Sequence, residues 1–295
     1  MNRLVSIPAT QTFGTLLKHW RLARRMSQLA LALEAEISAR HLSFLETGRA
    51  LPSRDMVLLL ATMLDVPLRE RNALLIAAGY APVYQERSLA APELAQVQRA
   101  LDFILQRQEP YPGLVLDQHW NVVLQNQGAA RVFQYFLASD ASRISGPPNA
   151  MRLTFHPQGL RPWLTNWDAL ASQLIQRLHH EVARALPGDG AAALLAELLA
   201  YPGVPQHWRT PDPAGAATPL LPLELCKGGI RMSFFTTMAT LGTPQDITLE
   251  ELRIESFFPA DQETEDAIQR LTRRDDAAPE ITNPSAKGEC YVDSI

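Results

Sequence analysis

Residues 27–46, SQLALALEAEISARHLSFLE, contain two short amphipathic helical patterns separated by a turn. Ser27 and Ser38 each stand just before a run of apolar residues, where a side-chain oxygen can cap a helix N-terminus. We expect three residues of each helix to face a common core: Leu29, Ala30 and Leu33 on the first, and Ile37, Leu42 and Leu45 on the second. The pattern is typical of a helix-turn-helix, whose second helix is held rigidly through its apolar face.

The opposite face of the second helix carries the candidate base-reading residues. They are Ala39, Arg40, Ser43 and Phe44, with His41 at the side. Short side chains near the start of such a helix can reach base edges in the major groove, where Arg40 can fork onto guanine and Phe44 can lie against a thymine methyl group. Gln28 and Ser38 lie at helix N-termini, which favour phosphate. We also expect phosphate contacts from Arg49 and Arg54.

The flanking sequence predicts further short helices and almost no strand. Apolar residues repeat at helical spacing from Phe13 to Ala23, Thr47-Gly48 ends the third helix, and two more helices follow at Asp55–Leu64 and from Pro67 to Gly79. We therefore predict an all-α domain of five helices over residues 1–80. Residues 81–94 follow as a linker, within a stretch that contains two prolines.

Charge separates this N-terminal part from the rest of the chain. Residues 1–54 carry a net charge of +5, whereas all 295 residues together carry −4, so that the remainder carries −9. A basic segment on an acidic body is consistent with a module that binds a polyanion. The chain has only two cysteines and no apolar run long enough for a membrane span, which excludes a disulfide framework and predicts a cytoplasmic protein.

The C-terminal part mixes helix and strand patterns, so we predict an α+β domain. Helices are expected at Glu93–Gln108, Gly128–Ala138, Trp167–Leu186 and Ala191–Ala200. Strands are expected at Leu114–Leu116, Trp120–Leu124, Ile230–Ala239 and Thr248–Phe258. Residues 201–222 carry six prolines and indicate a loop. Residues 263–295 are assigned to a tail that is largely disordered.

Residues 13–80 resemble the lambda-repressor-like, or XRE-type, helix-turn-helix domain. The resemblance rests on Ser27-Gln28, Ser38, Leu45-Glu46-Thr47-Gly48-Arg49, Pro52-Ser53 and Ala77-Ala78-Gly79-Tyr80. It implies a DNA-binding transcription regulator. We expect a homodimer on duplex DNA from operator symmetry, because a single module of this size buries little surface on DNA. One position departs from the family, because Glu36 stands where a glycine is usual in the turn. A glutamate in a left-handed conformation there costs about 1 kcal/mol.

Residues 95–262 resemble the ligand-binding domain of MmyB-like transcription regulators. The runs that carry the resemblance are Pro110-Tyr-Pro-Gly113, Asp117-Gln-His-Trp-Asn121, Asn126-Gln-Gly-Ala-Ala130, Leu153-Thr-Phe-His156-Pro157, Gly159-Leu-Arg-Pro162, Asn166-Trp167, Leu241-Gly-Thr-Pro-Gln-Asp246 and Phe257-Phe-Pro-Ala-Asp261. The resemblance implies a PAS-like fold that holds a small hydrophobic ligand, with fatty acids the expected class.

An apolar pocket with one or two polar anchors would suit such a ligand. The candidate lining residues are Trp120, Phe133, Phe155, Trp163 and Phe234, and the candidate anchors are Asn126, Arg152 and His156. Aromatic residues also fill cores without binding anything, and the sequence leaves that alternative open.

No catalytic motif was found, so we expect neither an enzyme nor a required cofactor. The chain lacks G-x-S-x-G, P-loop, G-x-G-x-x-G and H-E-x-x-H patterns. Adjacent His179 and His180 point about 100° apart on a helix and cannot chelate one metal together. Two alternatives stay open for the second domain: it only dimerises or binds a protein partner, or it is an enzyme fused to a DNA-binding domain.

Overall fold

The computed structural model describes residues 12–137, 146–184, 190–205 and 220–276. Five helices form the N-terminal domain: α1 (Phe13–Ala23), α2 (Gln28–Glu34), α3 (Ala39–Glu46), α4 (Arg54–Met63) and α5 (Leu68–Ala77). They enclose one apolar core that includes the fully buried Leu17, Leu42 and Leu60. The all-α domain of five helices expected from the sequence is therefore confirmed.

Local hydrogen bonds set where α2, α3 and α4 begin. The side chains of Ser27, Ser38 and Ser53 accept from the backbone N–H groups of Ala30, His41 and Met56, at 3.0, 3.1 and 3.2 Å. Each bond satisfies one of the donors that a helix leaves unpaired in its first turn. Ser27 and Ser38 thus cap their helices as the sequence predicted.

The turn between α2 and α3 places Glu36 in the left-handed region, with φ +55°. The N–H groups of Glu36 and Ile37 donate to the carbonyls of Leu33 and Ala32, which closes the C-terminus of α2. The left-handed conformation expected for Glu36 is therefore confirmed.

The buried face of α2 differs from the prediction. Leu31 and Ala32 are buried, whereas Leu29 and Leu33 are 61% and 70% exposed and Ala30 is exposed too. In a helix of seven residues with apolar side chains at most positions, the sequence pattern fits more than one face, and packing against α3 selects among them. On α3 the prediction was better, because Leu42 and Leu45 are buried and Ile37 packs against the same core.

The C-terminal domain is built on a five-stranded antiparallel sheet in the order β2-β1-β5-β4-β3. The strands are β1 (Gly113–Leu116), β2 (Val122–Gln125), β3 (Leu223–Lys227), β4 (Ile230–Ala239) and β5 (Arg253–Pro259). The helices are α6 (Ala95–Gln108), α7 (Gln127–Phe136), α8 (Ala150–Phe155), α9 (Trp167–Arg184), α10 (Ala191–Ala200), α11 (Ile247–Glu251) and α12 (Gln262–Asp276). This is the α+β, PAS-like domain that the sequence predicted.

The two faces of the sheet carry separate apolar clusters. On one face, Leu116, Phe234 and Phe257 pack with residues of α7 to α10 and α12 in the main core. On the other face, Val115 and Ile254 pack against α6. Alternating strand residues therefore serve two clusters, and the larger one surrounds the site described below.

Four parts of the sequence prediction need correction. Residues 247–251 form α11 rather than part of a strand from Thr248. Two elements, β3 and α8, were not predicted. The assigned tail is wrong for residues 263–276, because α12 packs against β4 and buries Ala267, Ile268 and Leu271. The described residues do not include the predicted helix ends at Ala138 and Leu186, residues 206–219 of the predicted loop, or residues 277–295 of the predicted tail.

Candidate functional site

A buried ion pair ties the two helices of the helix-turn-helix to α1. Arg21 donates to Glu46 through Nε at 2.6 Å and Nη2 at 2.9 Å, and Gln28 donates to Glu46 at 2.8 Å. Burial acts to raise the pKa of Glu46, but the bonds from Arg21 and Gln28 outweigh it and hold that pKa below its usual value. The carboxylate therefore stays ionised and joins the start of α2 to the end of α3.

The predicted base-reading residues lie along one side of α3. Arg40 is exposed, His41, Ser43 and Phe44 are partly exposed, and the guanidinium of Arg40 lies 5.3 Å from the centre of the Phe44 ring. Ala39 differs, because it packs partly against the core.

The predicted phosphate contacts fall into two groups. Arg49 and Arg54 are exposed. The hydroxyl of Ser38 caps α3, and the side chain of Gln28 is engaged by Glu46. Gln28 therefore helps to hold α2 against α3, a role that the sequence did not indicate. A phosphate contact by Gln28 would have to use the same side-chain amide that donates to Glu46.

A cavity of about 1050 Å³ lies in the C-terminal domain between the sheet and α7, α8 and α9. Its wall is mostly apolar, as a site for a lipophilic ligand requires. Representative lining residues are Leu114, Trp120, Phe133, Met151, Leu174 and Phe257. Of the eight ligand residues predicted from the sequence, Trp120 and Phe133 line this cavity.

Four predicted ligand residues pack outside the cavity wall. Phe155 and Phe234 are fully buried core residues, and the Phe155 ring contacts Trp167 edge to face at 5.2 Å. His156 contacts Tyr201 in the same way at 5.3 Å. Trp163 lies 4.7 Å from the ammonium group of Lys227, which does line the cavity. For Phe155, Phe234 and Trp163 the structure shows the packing against the core that the sequence had left open.

The other two predicted anchors have structural partners. The side-chain amide of Asn126 accepts from the N–H groups of Gly113 and Ala129, each at 2.9 Å, and donates to the carbonyl of Tyr111 at 2.8 Å. Arg152 forms a bidentate pair with Glu197, at 2.8 and 2.9 Å, which raises the pKa of Arg152. Both groups are used by the fold, so neither is a ready anchor for a ligand carboxylate.

The described lining residues include an acidic and a basic side chain that the sequence did not indicate as ligand residues, Glu255 on β5 and Lys227 on β3. The ammonium group of Lys227 donates to the carbonyl of Tyr135 at 2.6 Å, at the C-terminus of α7. Burial raises the pKa of Glu255 to about 7. The sequence could have indicated Glu255, because residues two positions apart in a strand point to the same face of the sheet, and Glu255 stands two residues before Phe257.

The two domains meet where α11 packs against α5. The backbone N–H of Leu68, at the start of α5, donates to a carboxylate oxygen of Glu250 at 2.6 Å. Pro67 provides no side-chain cap to that helix. The C-terminal domain therefore supplies the anion that caps a helix of the DNA-binding domain.

Arg69 is the main electrostatic link at this contact. It donates to Glu251 at 2.7 and 3.0 Å and to Glu86 at 2.9 and 2.6 Å. Burial raises the pKa of Glu251 and of Glu250, while the two carboxylates beside Arg69 raise the pKa of its guanidinium. The arginine thus connects α5, the linker and α11.

The linker is itself attached to both domains. Asn72 on α5 accepts from the N–H groups of Val83 and Tyr84, at 2.9 and 3.1 Å. On the other side, the N–H of Ile247 donates to the carbonyl of Gln85 at 2.9 Å, and Arg87 pairs with the buried Asp246 at 2.8 Å. We call this region, residues 68–72, 83–87 and 246–251, the interdomain joint.

The joint is continuous with the cavity wall. Glu251 ends α11, and β5 begins two residues later and carries Glu255 and Phe257 into the cavity. Strand β5 therefore connects the cavity wall directly to the residues of α11 that contact α5.

None of the helices in the described part of the chain combines the length and the apolar character that a membrane span requires. Residues 12–137, 146–184, 190–205 and 220–276 also hold no group of three side chains suited to a metal ion.

The fold and the two sites together define a transcription regulator with a helix-turn-helix domain and a ligand-binding domain. Comparison with known families agrees: a helix-turn-helix domain matches residues 12–74, and the MmyB-like transcription regulator ligand binding domain matches residues 97–271. That second match covers more than half of the chain, which belongs to this MmyB-like family. Its end at residue 271 includes most of α12, in agreement with the corrected tail boundary.

Comparisons with individual proteins add little. No curated protein matches this sequence. Among solved structures, the chain is similar to one described as "Structure of an RNA-binding Light-Oxygen-Voltage Receptor", at 11% identity and a TM-score of 0.26. The match covers 90% of this chain and 64% of that one. At this TM-score the likeness supports no conclusion about fold or function.

Proposed function

We propose that the protein binds operator DNA as a homodimer and that a lipophilic small molecule in the cavity changes this binding. A fatty acid is the ligand class we expect, acting as an effector rather than a cofactor. The domains are proposed as residues 1–80 for DNA binding, 81–94 for the linker and 95–276 for ligand binding. Such a regulator would act in the cytoplasm, where its DNA target lies.

The observation that carries the proposal is the path from the cavity to α5. Strand β5 lines the cavity, α11 precedes it directly, and α11 contacts α5 through Glu250 and Glu251. A ligand can shift DNA binding only as far as its affinity differs between the two arrangements of the domains. The joint is the place where such a difference would arise.

Base reading is assigned to the exposed side of α3, with Arg40 and Phe44 as the central residues. The exposed Arg49 and Arg54 would contact phosphates. We propose dimerisation because a single module of this size buries little surface on DNA, and two half-sites give the affinity of a specific operator.

Extraction of the purified protein followed by mass spectrometry is the first test. A stoichiometric lipid would support the sensor function. An operator is then selected from random duplex DNA, and its affinity is measured with protein before and after delipidation. A changed affinity supports the proposal, whereas equal affinities would reject regulation by that lipid. Native mass spectrometry of the operator complex tests the dimer.

Two other outcomes would favour the alternatives. A protein that yields no lipid and binds none on addition would favour a second domain that only dimerises or binds a partner. Conversion of an added ligand to a product would favour an enzyme. The variant Arg40→Ala serves as the DNA-binding control in each assay, because it leaves the cavity untouched.

A further inference from the structure

Among the described residues that line the cavity, Glu255 carries the one carboxyl group in an otherwise mostly apolar wall. In the sheet its neighbours are Leu114 on β1 and Met238 on β4, and Phe257 follows on the same face. Thr236 also lines the cavity. Burial among these side chains raises the pKa of Glu255 to about 7, so that a large share of the molecules carry a proton there at neutral pH.

The cationic groups near the cavity are already engaged. Lys227 is the one cation among the described lining residues, and its ammonium group donates to the carbonyl of Tyr135 at 2.6 Å and lies 3.4 Å from those of Phe136 and Leu137. On α9, Arg177 is the charged group that faces Glu255. It stacks on Trp120 at 4.7 Å and pairs with Glu181 at 3.7 Å. A ligand carboxylate would therefore displace existing contacts to reach a cation.

We propose that Glu255 receives the head group of the ligand and determines its class: an amphiphile whose head donates a hydrogen bond to this carboxyl group. An alcohol, an amide or a protonated carboxylic acid meets this requirement, whereas an ester does not. A fatty acid would bind with one proton shared between its own carboxyl group and that of Glu255, because two adjacent carboxylates repel each other in an apolar cavity. This inference rests on the proposed lipophilic function of the cavity.

The test compares three probes of one chain length: dodecanol, dodecanoic acid and methyl dodecanoate. Their affinities for the delipidated full-length protein are measured at pH 6 and pH 8. At pH 8, where Glu255 is mostly ionised and can only accept, we expect dodecanol to bind about tenfold more tightly than the methyl ester, which is the effect of one hydrogen bond to a buried acceptor. At pH 6 the protonated carboxyl group can also donate to the ester carbonyl, so this preference should be smaller. We also expect dodecanoic acid to bind more weakly at pH 8 than at pH 6.

Two variants of Glu255 isolate its contribution. Glu255→Leu should bring the alcohol and the ester to nearly equal affinity. Glu255→Gln preserves the shape but can also donate to the ester carbonyl, so it should reduce both the preference for the alcohol and the pH dependence of acid binding. The control is Glu224→Gln on β3, outside the cavity wall, where Glu224 accepts from Thr165 at 2.9 Å. It should behave as wild type.

The outcomes separate this inference from the proposed function. Equal binding of alcohol and ester by wild type at pH 8 would reject the role of Glu255 and leave a lipophilic cavity in place. Tighter binding of dodecanoic acid at pH 8 than at pH 6 would also reject it, because a cation would then be the anchor. Failure of all three probes to bind would overturn both proposals.

Discussion

Replacing Arg69 by glutamine should loosen the interdomain joint by about 2 kcal/mol. Surface ion pairs contribute 0.2–1 kcal/mol, and losing one partner of a fully buried pair costs about 3–5 kcal/mol. The side chains of Arg69 and Glu251 are 21% and 16% exposed, so their pair falls between these limits. Glutamine keeps the helix propensity of α5 but cannot bridge Glu251 and Glu86 together.

Hydrogen exchange with mass spectrometry measures this effect at the joint itself. The peptides of interest cover residues 66–72 and 245–252, whose Leu68 and Ile247 amides bond across the joint. A loss of about 2 kcal/mol in opening free energy corresponds to roughly thirtyfold faster exchange, after correction for intrinsic rates. We also expect the ligand to lose its effect on DNA affinity in this variant.

The matched control is Arg152→Gln. Arg152 makes a bidentate pair with Glu197 of similar geometry, at 26% and 34% side-chain exposure, but within the C-terminal domain. It should speed exchange around α8 and α10 and leave the joint peptides unchanged. If the joint peptides exchange no faster in Arg69→Gln than in Arg152→Gln, the ion pairs do not hold the domains together, and the proposed path to α5 fails.

Three further predictions concern single residues. Arg40→Ala should weaken operator binding by about 1–3 kcal/mol and relax the base preference. Arg49→Ala should instead weaken binding to all DNA sequences and flatten the salt dependence of binding. If a repeated selection with Arg40→Ala yields the same operator, the assignment of Arg40 to base reading is rejected. Glu36→Gly should raise the free energy of unfolding by up to about 1 kcal/mol, because glycine accepts the left-handed φ of +55° at little cost. A urea titration in which the glycine variant is less stable than wild type would contradict the conclusion that Glu36 is strained. Because the pKa of Glu255 is raised from 4.5 to about 7, the folded protein binds this proton more tightly than the unfolded chain does. The free energy of unfolding should therefore fall by on the order of 2 kcal/mol as the pH rises from about 5 to 7. Glu255→Gln should flatten that slope, and an equal slope in both proteins would refute this prediction.

The elements that were predicted well are those set by contacts within a few residues. Ser27 and Ser38 bond to amides three positions ahead, and the turn at Glu36 closes on carbonyls of the preceding helix turn. Such bonds form wherever the local sequence allows them, so the helix-turn-helix could be recognised without a structure. Short motifs likewise indicated the second family.

Sequence reasoning failed where a choice depends on distant neighbours. The side of α2 that is buried is selected by packing, and so is the close approach of α1 to α3, where a Cβ on Gly14 would lie 2.4 Å from the carbonyl oxygen of Glu46. Aromatic content alone placed Phe155 and Phe234 in a pocket, whereas the sheet puts them in the core. Burial energy depends on which surfaces meet, and a single sequence does not show this.

The sequence by itself determined the two domain types and the helix boundaries of the first, and it indicated the exposed side of α3 that we propose reads DNA. Only the tertiary structure decided which residues line the cavity and how the cavity is connected to α5. Arg69 and Glu251 are separated by 182 positions in the chain. Their attraction and their shared burial exist only after both domains have folded, because in an extended chain the guanidinium of Arg69 and the carboxylate of Glu251 are each fully hydrated.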